Sequence, residues 1–309
     1  MSGLQQFAGL VNASLLVASA CGWLMLGLRR RGRPWIAPTA RRPAPWGILE
    51  TILVILVSLV VPLLFALAWL AFRGVSPAEY EALLKDGADS GFPPLQVEMM
   101  VVDGTARLIS IVVAAALIAI RLRPTAADWG ISVSALRDDL TISIVAFVLI
   151  VPPVLLLKWL LLQTFPDQLE EAHPLIQRVR AHPDSLQIFA VTAFSAVLVA
   201  PLFEEFLFRL ILQGGFERWA TTGSPFSDPG SRMEPSPPTR FWPVWASSAI
   251  FAAMHLGHGI DPVPLFILAL GLGYLYRQTH RLGPPILVHG MLNCLTMAQL
   301  LVEVISKQV

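Results

Sequence analysis

Apolar residues fall into repeated blocks of about 20 along this chain, and short polar segments separate the blocks. An α-helix needs about 20 residues to cross a hydrocarbon core about 30 Å thick, because it rises about 1.5 Å per residue. The period-two alternation that a membrane β-barrel requires is not seen in the sequence. The pattern predicts about eight membrane-spanning helices, at residues 7–28, 47–72, 105–122, 141–163, 187–213, 241–256, 263–278 and 284–304.

Composition supports the same fold class. Of the 309 residues, 55% are hydrophobic and 14% are charged, and the mean hydropathy is +0.65. Soluble globular domains carry about 25% charged residues. We therefore predict an all-α, multi-pass integral membrane protein, a bundle of helices in contact with the lipid bilayer. A formal net charge of +1 and the lack of a basic stripe argue against binding to nucleic acid.

The distribution of Lys and Arg predicts the orientation of the bundle. Four arginines follow the first apolar block directly, at positions 29, 30, 31 and 33, whereas a secretory signal carries its basic residues before the block. With this block as a retained helix, 14 Lys and Arg residues lie on one side of the membrane and 5 on the other. The positive-inside rule then places both termini outside the cytoplasm. The compact loops fit a bacterial inner membrane.

The fifth predicted span contains charged residues that need an explanation. Its stretch "APLFEEFLFRLIL" holds Glu204, Glu205 and Arg209 among apolar residues. A charge within the bilayer costs several kcal/mol unless it has a partner or a wet cavity. Glu205 and Arg209 are four residues apart, so they share one helix face and predict a supporting ion pair. Glu204, rotated by about 100°, faces elsewhere and is the carboxylate left for chemistry.

Three polar residues of later spans are candidate partners of Glu204. His255 lies in "FAAMHLGHG", and His289 and Asn293 lie four residues apart in "ILVHGMLNCL". By helical rise, all four side chains fall within about 12 Å of depth in the membrane. Glu204, His255 and His289 suit a zinc ion or another divalent metal that activates water. Alternatively, Glu204 and His255 activate water directly while His289 and Asn293 donate hydrogen bonds to an oxyanion. The residues alone leave both mechanisms open.

The three motifs together resemble a known family. In order along the chain they read E-E-x-x-x-R, then F-x-x-x-H at Phe251 and His255, then H-x-x-x-N. They resemble those of the CAAX-protease and bacteriocin-processing (CPBP or Abi) family of intramembrane proteases, which includes the type II CAAX prenyl endopeptidases. The similar stretch covers residues 187–303. It implies N-terminal transmembrane helices over residues 1–140 and a catalytic helical core with an intramembrane cavity over residues 141–309.

The resemblance also implies an activity and residue roles. The activity is hydrolysis of a peptide bond in a peptide or membrane-protein substrate, which in the prenyl endopeptidases is prenylated. Glu204 would activate water, and His255 would assist it or bind the metal. His289 and Asn293 would bind metal or form the oxyanion hole, and Glu205 with Arg209 would support the site.

Two observations bear on this resemblance. The family commonly has Gly after the motif arginine, where this chain has Leu210, so helix packing at that point is in question. An additional histidine, His258, is better explained as an ordinary loop residue than as a ligand. The alternative function is a non-proteolytic membrane scaffold or a bacteriocin self-immunity protein of the same fold. A transporter is disfavoured, because the chain shows no pair of related halves.

Overall fold

The computed structural model describes residues 3–30, 34–76, 78, 93–165, 174–227, 234–257 and 259–308. Secondary structure in these ranges is helical, apart from one isolated antiparallel bridge between Arg41 and Ser236. A 3-10 turn, Val133–Ala135, leads into the fourth helix. The helices within the described ranges are α1 Gly3–Arg30, α2 Ile48–Arg73, α3 Pro93–Leu122, α4 Leu136–Thr164, α5 Pro174–Ala181, α6 Leu186–Thr222, α7 Trp242–Ala253, α8 Pro262–Thr279 and α9 Gly283–Gln308.

Six of these helices, α1, α2, α3, α4, α6 and α9, are long and apolar enough to cross a membrane. The shorter α7 and α8, of 12 and 18 residues, occupy the sixth and seventh predicted spans. The prediction of an all-α membrane bundle is therefore confirmed. The largest difference in helix ends is that α3 begins at Pro93 instead of residue 105. The charged residues in the first part of α3 do not interrupt the helix, because both are paired. Glu98 lies 3.2 Å from Arg73, and Asp103 lies 2.8 Å from Arg107.

The helices pack so that α4 contacts α1, α8 and α9, while α2 packs on α3 and α7 on α8. Leu268, Leu272 and Leu275 form a fully buried stripe of α8 at helical spacing and pack with Val288 of α9. Many large apolar side chains are exposed on the outer faces, for example Leu63, which is 56% exposed. In a bilayer these faces contact lipid, and the backbone polar groups are satisfied within each helix.

The connector that precedes α2 packs across the ends of α6 and α8. Trp46 is fully buried and donates its indole N–H to the carbonyl of Ile211 at 3.2 Å. Arg41 forms an ion pair with Glu217 of α6, and its guanidinium lies 5.0 Å from the ring centre of Tyr276 in α8. This connector therefore fixes the end of α6, the helix that carries the two adjacent glutamates.

Candidate active site

Helix α6 is not a uniform α-helix. Two segments, Ser195–Val199 and Phe206–Gln213, are π-helical, with the α-helical stretch Ala200–Glu205 between them. In a π-helix each backbone N–H bonds to the carbonyl five residues earlier, which inserts a residue into the turn and rotates the side chains that follow. The two adjacent glutamates lie at the end of the short α-helical stretch. Their directions relative to the other helices therefore depend on the π segments, whereas the rotation of one relative to the other is that of an α-helix.

Glu205 and Arg209 form the ion pair that their spacing predicts. Arg209 Nε lies 2.8 Å from Glu205 Oε2, and both side chains are fully buried. The guanidinium also lies over the ring of Phe251, 5.4 Å from its centre. Leu210, which replaces the glycine common in the resembling family, packs in the core with Trp46, so this difference leaves the helix well packed.

His289 of α9 lies between the two glutamates. Its Nδ1 is 3.0 Å from Glu205 Oε1, and its Nε2 is 3.9 Å from Glu204 Oε2. Since an ionised carboxylate only accepts, the Nδ1–H of the imidazole donates to Glu205. Helix spacing alone assigns Glu205 to Arg209, so this contact could not be predicted from the sequence. Glu205 thus orients His289 with one oxygen and binds Arg209 with the other.

His255 lies just beyond the end of a helix, whereas the hydropathy pattern predicts it inside the sixth span. Helix α7 ends at Ala253, and residues 254–257 form a turn that contains Gly257 with a φ of 98°. Its Nδ1 bonds to the carbonyl of Phe251 at 2.8 Å, which fixes the ring. The additional histidine, His258, lies outside the described residues.

Asn293 lies one turn after His289 on the same face of α9, as the spacing predicts. Its side-chain amide donates to the carbonyl of Ala196 at 2.7 Å. Ala196 belongs to the first π segment of α6, so this hydrogen bond ties α9 to the stretch just before the glutamates.

The four predicted catalytic residues, Glu204, His255, His289 and Asn293, line a common cavity with a volume of about 170 Å³. Glu204 is the more accessible of the two glutamates, with 18% of its side chain exposed against 0% for Glu205. Apolar side chains of α4, α8 and α9, such as Leu155, Leu265 and Leu292, form much of the wall. The polar residues of this lining come from three separate helices and two turns: Glu204, His255, His289, Asn293, Lys158, Asp261 and Thr296.

Comparison with known proteins identifies this region. A family model described as type II CAAX prenyl endopeptidase Rce1-like matches residues 186–295. This part of the chain is similar to that family. The match begins at the first residue of α6 and includes the glutamates, the two histidines and Asn293. The similarity suggests protease activity of the CAAX type. No curated protein and no solved structure matches the chain.

The divalent metal that the resemblance implies can be tested against the donor geometry. Among the residues that the structure describes, no group of three His, Cys, Asp or Glu side chains lies close enough to hold a metal ion. Glu204 and His289 approach each other to 3.9 Å on the Nε2 side of the imidazole ring, while Nδ1 bonds to Glu205. The predicted donor set of Glu204, His255 and His289 stays a prediction, and the chemistry proposed below uses side chains alone.

An ion pair at the cavity wall was not anticipated from the sequence. Lys158 of α4 lies 2.6 Å from Asp261, which precedes the first residue of α8, and both line the cavity. The pair joins α4 to the start of α8 next to the turn that holds His255. No short-range spacing signals this contact, because the two residues lie about a hundred positions apart in the sequence.

Proposed function

We propose that this protein is an intramembrane endopeptidase that hydrolyses a peptide bond with water activated by Glu204. The observation that carries the proposal is the position of His289 between Glu205 and Glu204 at the wall of the cavity. A buried histidine held by one carboxylate and directed toward a second, more accessible one provides an acid and a base side by side. Chemistry of this kind hydrolyses amides through a tetrahedral intermediate.

Glu204 is the general base, because the carboxylate of Glu205 is already hydrogen-bonded through both oxygens. Both oxygens of Glu205 accept hydrogen bonds, from Arg209 and from His289. Glu204 lines the cavity and keeps part of its carboxylate accessible. In the proposed reaction Glu204 takes a proton from water, the resulting hydroxide attacks the peptide carbonyl carbon, and Glu204 then passes the proton to the leaving amine.

His255 assists the water. Its Nδ1–H donates to the carbonyl of Phe251 at 2.8 Å, which holds the ring in place. Since His255 lines the same cavity as Glu204, its ring can hydrogen-bond to the water while Glu204 takes a proton from it. The position of His255 in a turn lets it reach the cavity from the end of α7.

His289 and Asn293 stabilise the oxyanion. With Nδ1–H donated to Glu205, a protonated His289 carries a second N–H at Nε2, on the side of Glu204. The amide of Asn293 uses one N–H for Ala196 and has another to donate. Two donors of this kind, fixed before the substrate binds, favour the tetrahedral intermediate.

The proposed substrate is a peptide or a membrane-protein segment, and a prenylated C-terminal peptide is the form that the family description suggests. The proposed location is a bacterial inner membrane with both termini outside the cytoplasm.

The predicted zinc or other divalent ion would, if bound, supply a Lewis acid and a water of lowered pKa.

The test is peptidase activity of the purified full-length protein on matched prenylated and unprenylated peptides that end in the same sequence. Glu204→Gln and His289→Ala should each lower kcat by about 10²- to 10⁴-fold, the usual contribution of acid–base catalysis. Glu98→Gln, at an ion pair of α3 and α2 away from the cavity, is the matched control and should keep full activity. Full activity in both Glu204→Gln and His289→Ala would overturn the proposal.

The same assay with a chelator, followed by addition of zinc, separates the two mechanisms. We expect the activity to persist in chelator, because no three donor side chains of the described residues lie close enough to hold a metal ion. Loss of activity on chelation and recovery with zinc would instead assign the histidines and Glu204 as ligands. A folded wild-type protein without activity on either peptide would favour the scaffold or self-immunity alternative.

A further inference from the structure

The first π segment of α6 leaves a backbone carbonyl without its regular donor. The N–H of Ala200 bonds to the carbonyl of Ser195, five residues earlier, and so is not directed to Ala196 four residues earlier. In the π-helical register, the Ala196 carbonyl would accept from the backbone N–H of residue 201. That residue is proline, which has no N–H. Neither the α-helical nor the π-helical register therefore supplies a backbone donor to the Ala196 carbonyl.

The side chain of Asn293 supplies the missing hydrogen bond to this carbonyl. Its side-chain amide donates to Ala196 at 2.7 Å, the shortest range for such a bond. The approach of the two helices makes the contact possible. A Cβ added at Gly290 of α9 would lie 3.0 Å from the carbonyl oxygen of Val197, so a glycine is needed where α9 crosses the π segment. Residue 197 is also four residues before Pro201, and its carbonyl likewise lacks the regular α-helical donor.

We infer that Pro201 is a positioning residue: by removing one backbone N–H it reserves the Ala196 carbonyl for Asn293 and so aims the second amide N–H of Asn293 at the reacting carbonyl. A proline within a helix interior ordinarily costs about 3 kcal/mol, and Pro201 is buried within the continuous helix α6. The inference rests on the proposed role of Asn293 as an oxyanion donor. Pro201 itself touches no reacting atom.

Replacing Pro201 restores the donor. In Pro201→Ala the new N–H lies in register with the carbonyls of Val197 and Ala196 and competes with Asn293 for them. The amide of Asn293 then spends less time in the orientation that serves the oxyanion. We expect kcat to fall about 10-fold, which corresponds to about 1.4 kcal/mol, with KM changed less than 2-fold. The thermal midpoint should stay the same or rise, because a proline has left the helix.

A double-mutant cycle tests whether Pro201 acts through Asn293. Asn293→Ala alone should lower kcat by about 10²- to 10³-fold, as for one oxyanion donor. Adding Pro201→Ala to Asn293→Ala should change kcat by less than 2-fold, because the group that the proline positions is gone. Pro201→Gly restores the same N–H and should repeat the result. Pro62→Ala in α2, a proline inside another membrane helix, is the matched control and should leave kcat unchanged.

The outcomes separate this inference from the proposed function. Full activity in Pro201→Ala and Pro201→Gly, with Asn293→Ala impaired, overturns the inference and leaves the peptidase proposal standing. An equal loss of kcat from Pro201→Ala in the wild-type and Asn293→Ala backgrounds also overturns it, because the proline would then act by another route. Full activity in Asn293→Ala overturns both the inference and the oxyanion role, whereas Glu204→Gln tests the hydrolysis itself.

Discussion

Replacement of Arg209 by Met tests how the bundle keeps a carboxylate in its interior. Arg209 and Glu205 are both fully buried, and their side chains meet at 2.8 Å. Methionine has a similar length and fills the space over the ring of Phe251, but it removes the positive charge. Glu205 then keeps its hydrogen bond to His289 and loses its ionic partner. The substitution therefore isolates the electrostatic contribution of Arg209 from its packing.

The expected effect is large because the pair is buried. Removing one partner of a buried ion pair typically costs 3–5 kcal/mol, since the other charge stays out of water without compensation. For a large domain about 1 kcal/mol shifts the thermal midpoint by about 2 °C, so Arg209→Met should lower it by about 6–10 °C. The double variant Glu205→Gln with Arg209→Met removes both charges and should recover at least half of this loss.

The assay is thermal unfolding in detergent followed by intrinsic fluorescence of the nine tryptophans. A thiol-reactive dye is unsuitable, because Cys21 and Cys294 are already exposed in the folded protein. Lys307→Met is the matched control: Lys307 and Glu303 have the same four-residue spacing and a 2.8 Å contact, but Lys307 is 70% exposed at the end of α9. Exposed pairs contribute about 0–1 kcal/mol. Equal shifts in Arg209→Met and Lys307→Met would refute the reasoning.

Two further predictions concern other positions. Burial and the charge of Arg41 lower the pKa of His280 to about 2, so the folded state does not take up the proton that the unfolded chain binds below about pH 6.5. The unfolding free energy should therefore fall by up to about 1.4 kcal/mol per pH unit below 6.5. His280→Asn suits the left-handed backbone at φ 52° and should remove this pH dependence, measured as the difference between thermal midpoints at pH 7.5 and pH 5. The same difference in the wild type and the variant would contradict the prediction. Gly290→Ala should lower kcat/KM about 10- to 100-fold, because its Cβ would lie 3.0 Å from the Val197 carbonyl and push α9 away from α6. Gly27→Ala, with no atom within 4 Å, is its control, and equal activity in the two variants would contradict the prediction.

Features set by local spacing could be predicted from the sequence. Apolar blocks of about 20 residues locate the membrane helices, because hydrocarbon thickness fixes their length. The four-residue spacing of Glu205 and Arg209 gives their ion pair, and that of His289 and Asn293 gives their shared face. The direction of Glu204 toward the cavity follows from its rotation relative to Glu205. All of these depend on a single helix and its period.

Features that depend on a change of helix register or on distant contacts could not be predicted. No residue type marks a π segment, so the bond between Asn293 and Ala196 has no signature in the spacing of either helix. The contact of His289 with Glu205 joins residues 84 positions apart, and it requires the packing of α9 against α6. Likewise, Trp46 borders a predicted span, but its burial depends on the connector folding back onto α6.

In the proposed mechanism, two adjacent glutamates allow a membrane helix to carry a reactive carboxylate. A single buried glutamate must either be fully paired, and then cannot accept a proton from water, or remain unpaired at a cost of several kcal/mol. Two neighbouring glutamates point in directions about 100° apart, so one can be fully paired while the other stays accessible. Glu205 saturates both oxygens with Arg209 and His289, and the histidine that it fixes then lies 3.9 Å from Glu204. Because the support for Glu204 comes through His289, its own oxygens stay available at the cavity, which is the condition that water activation requires.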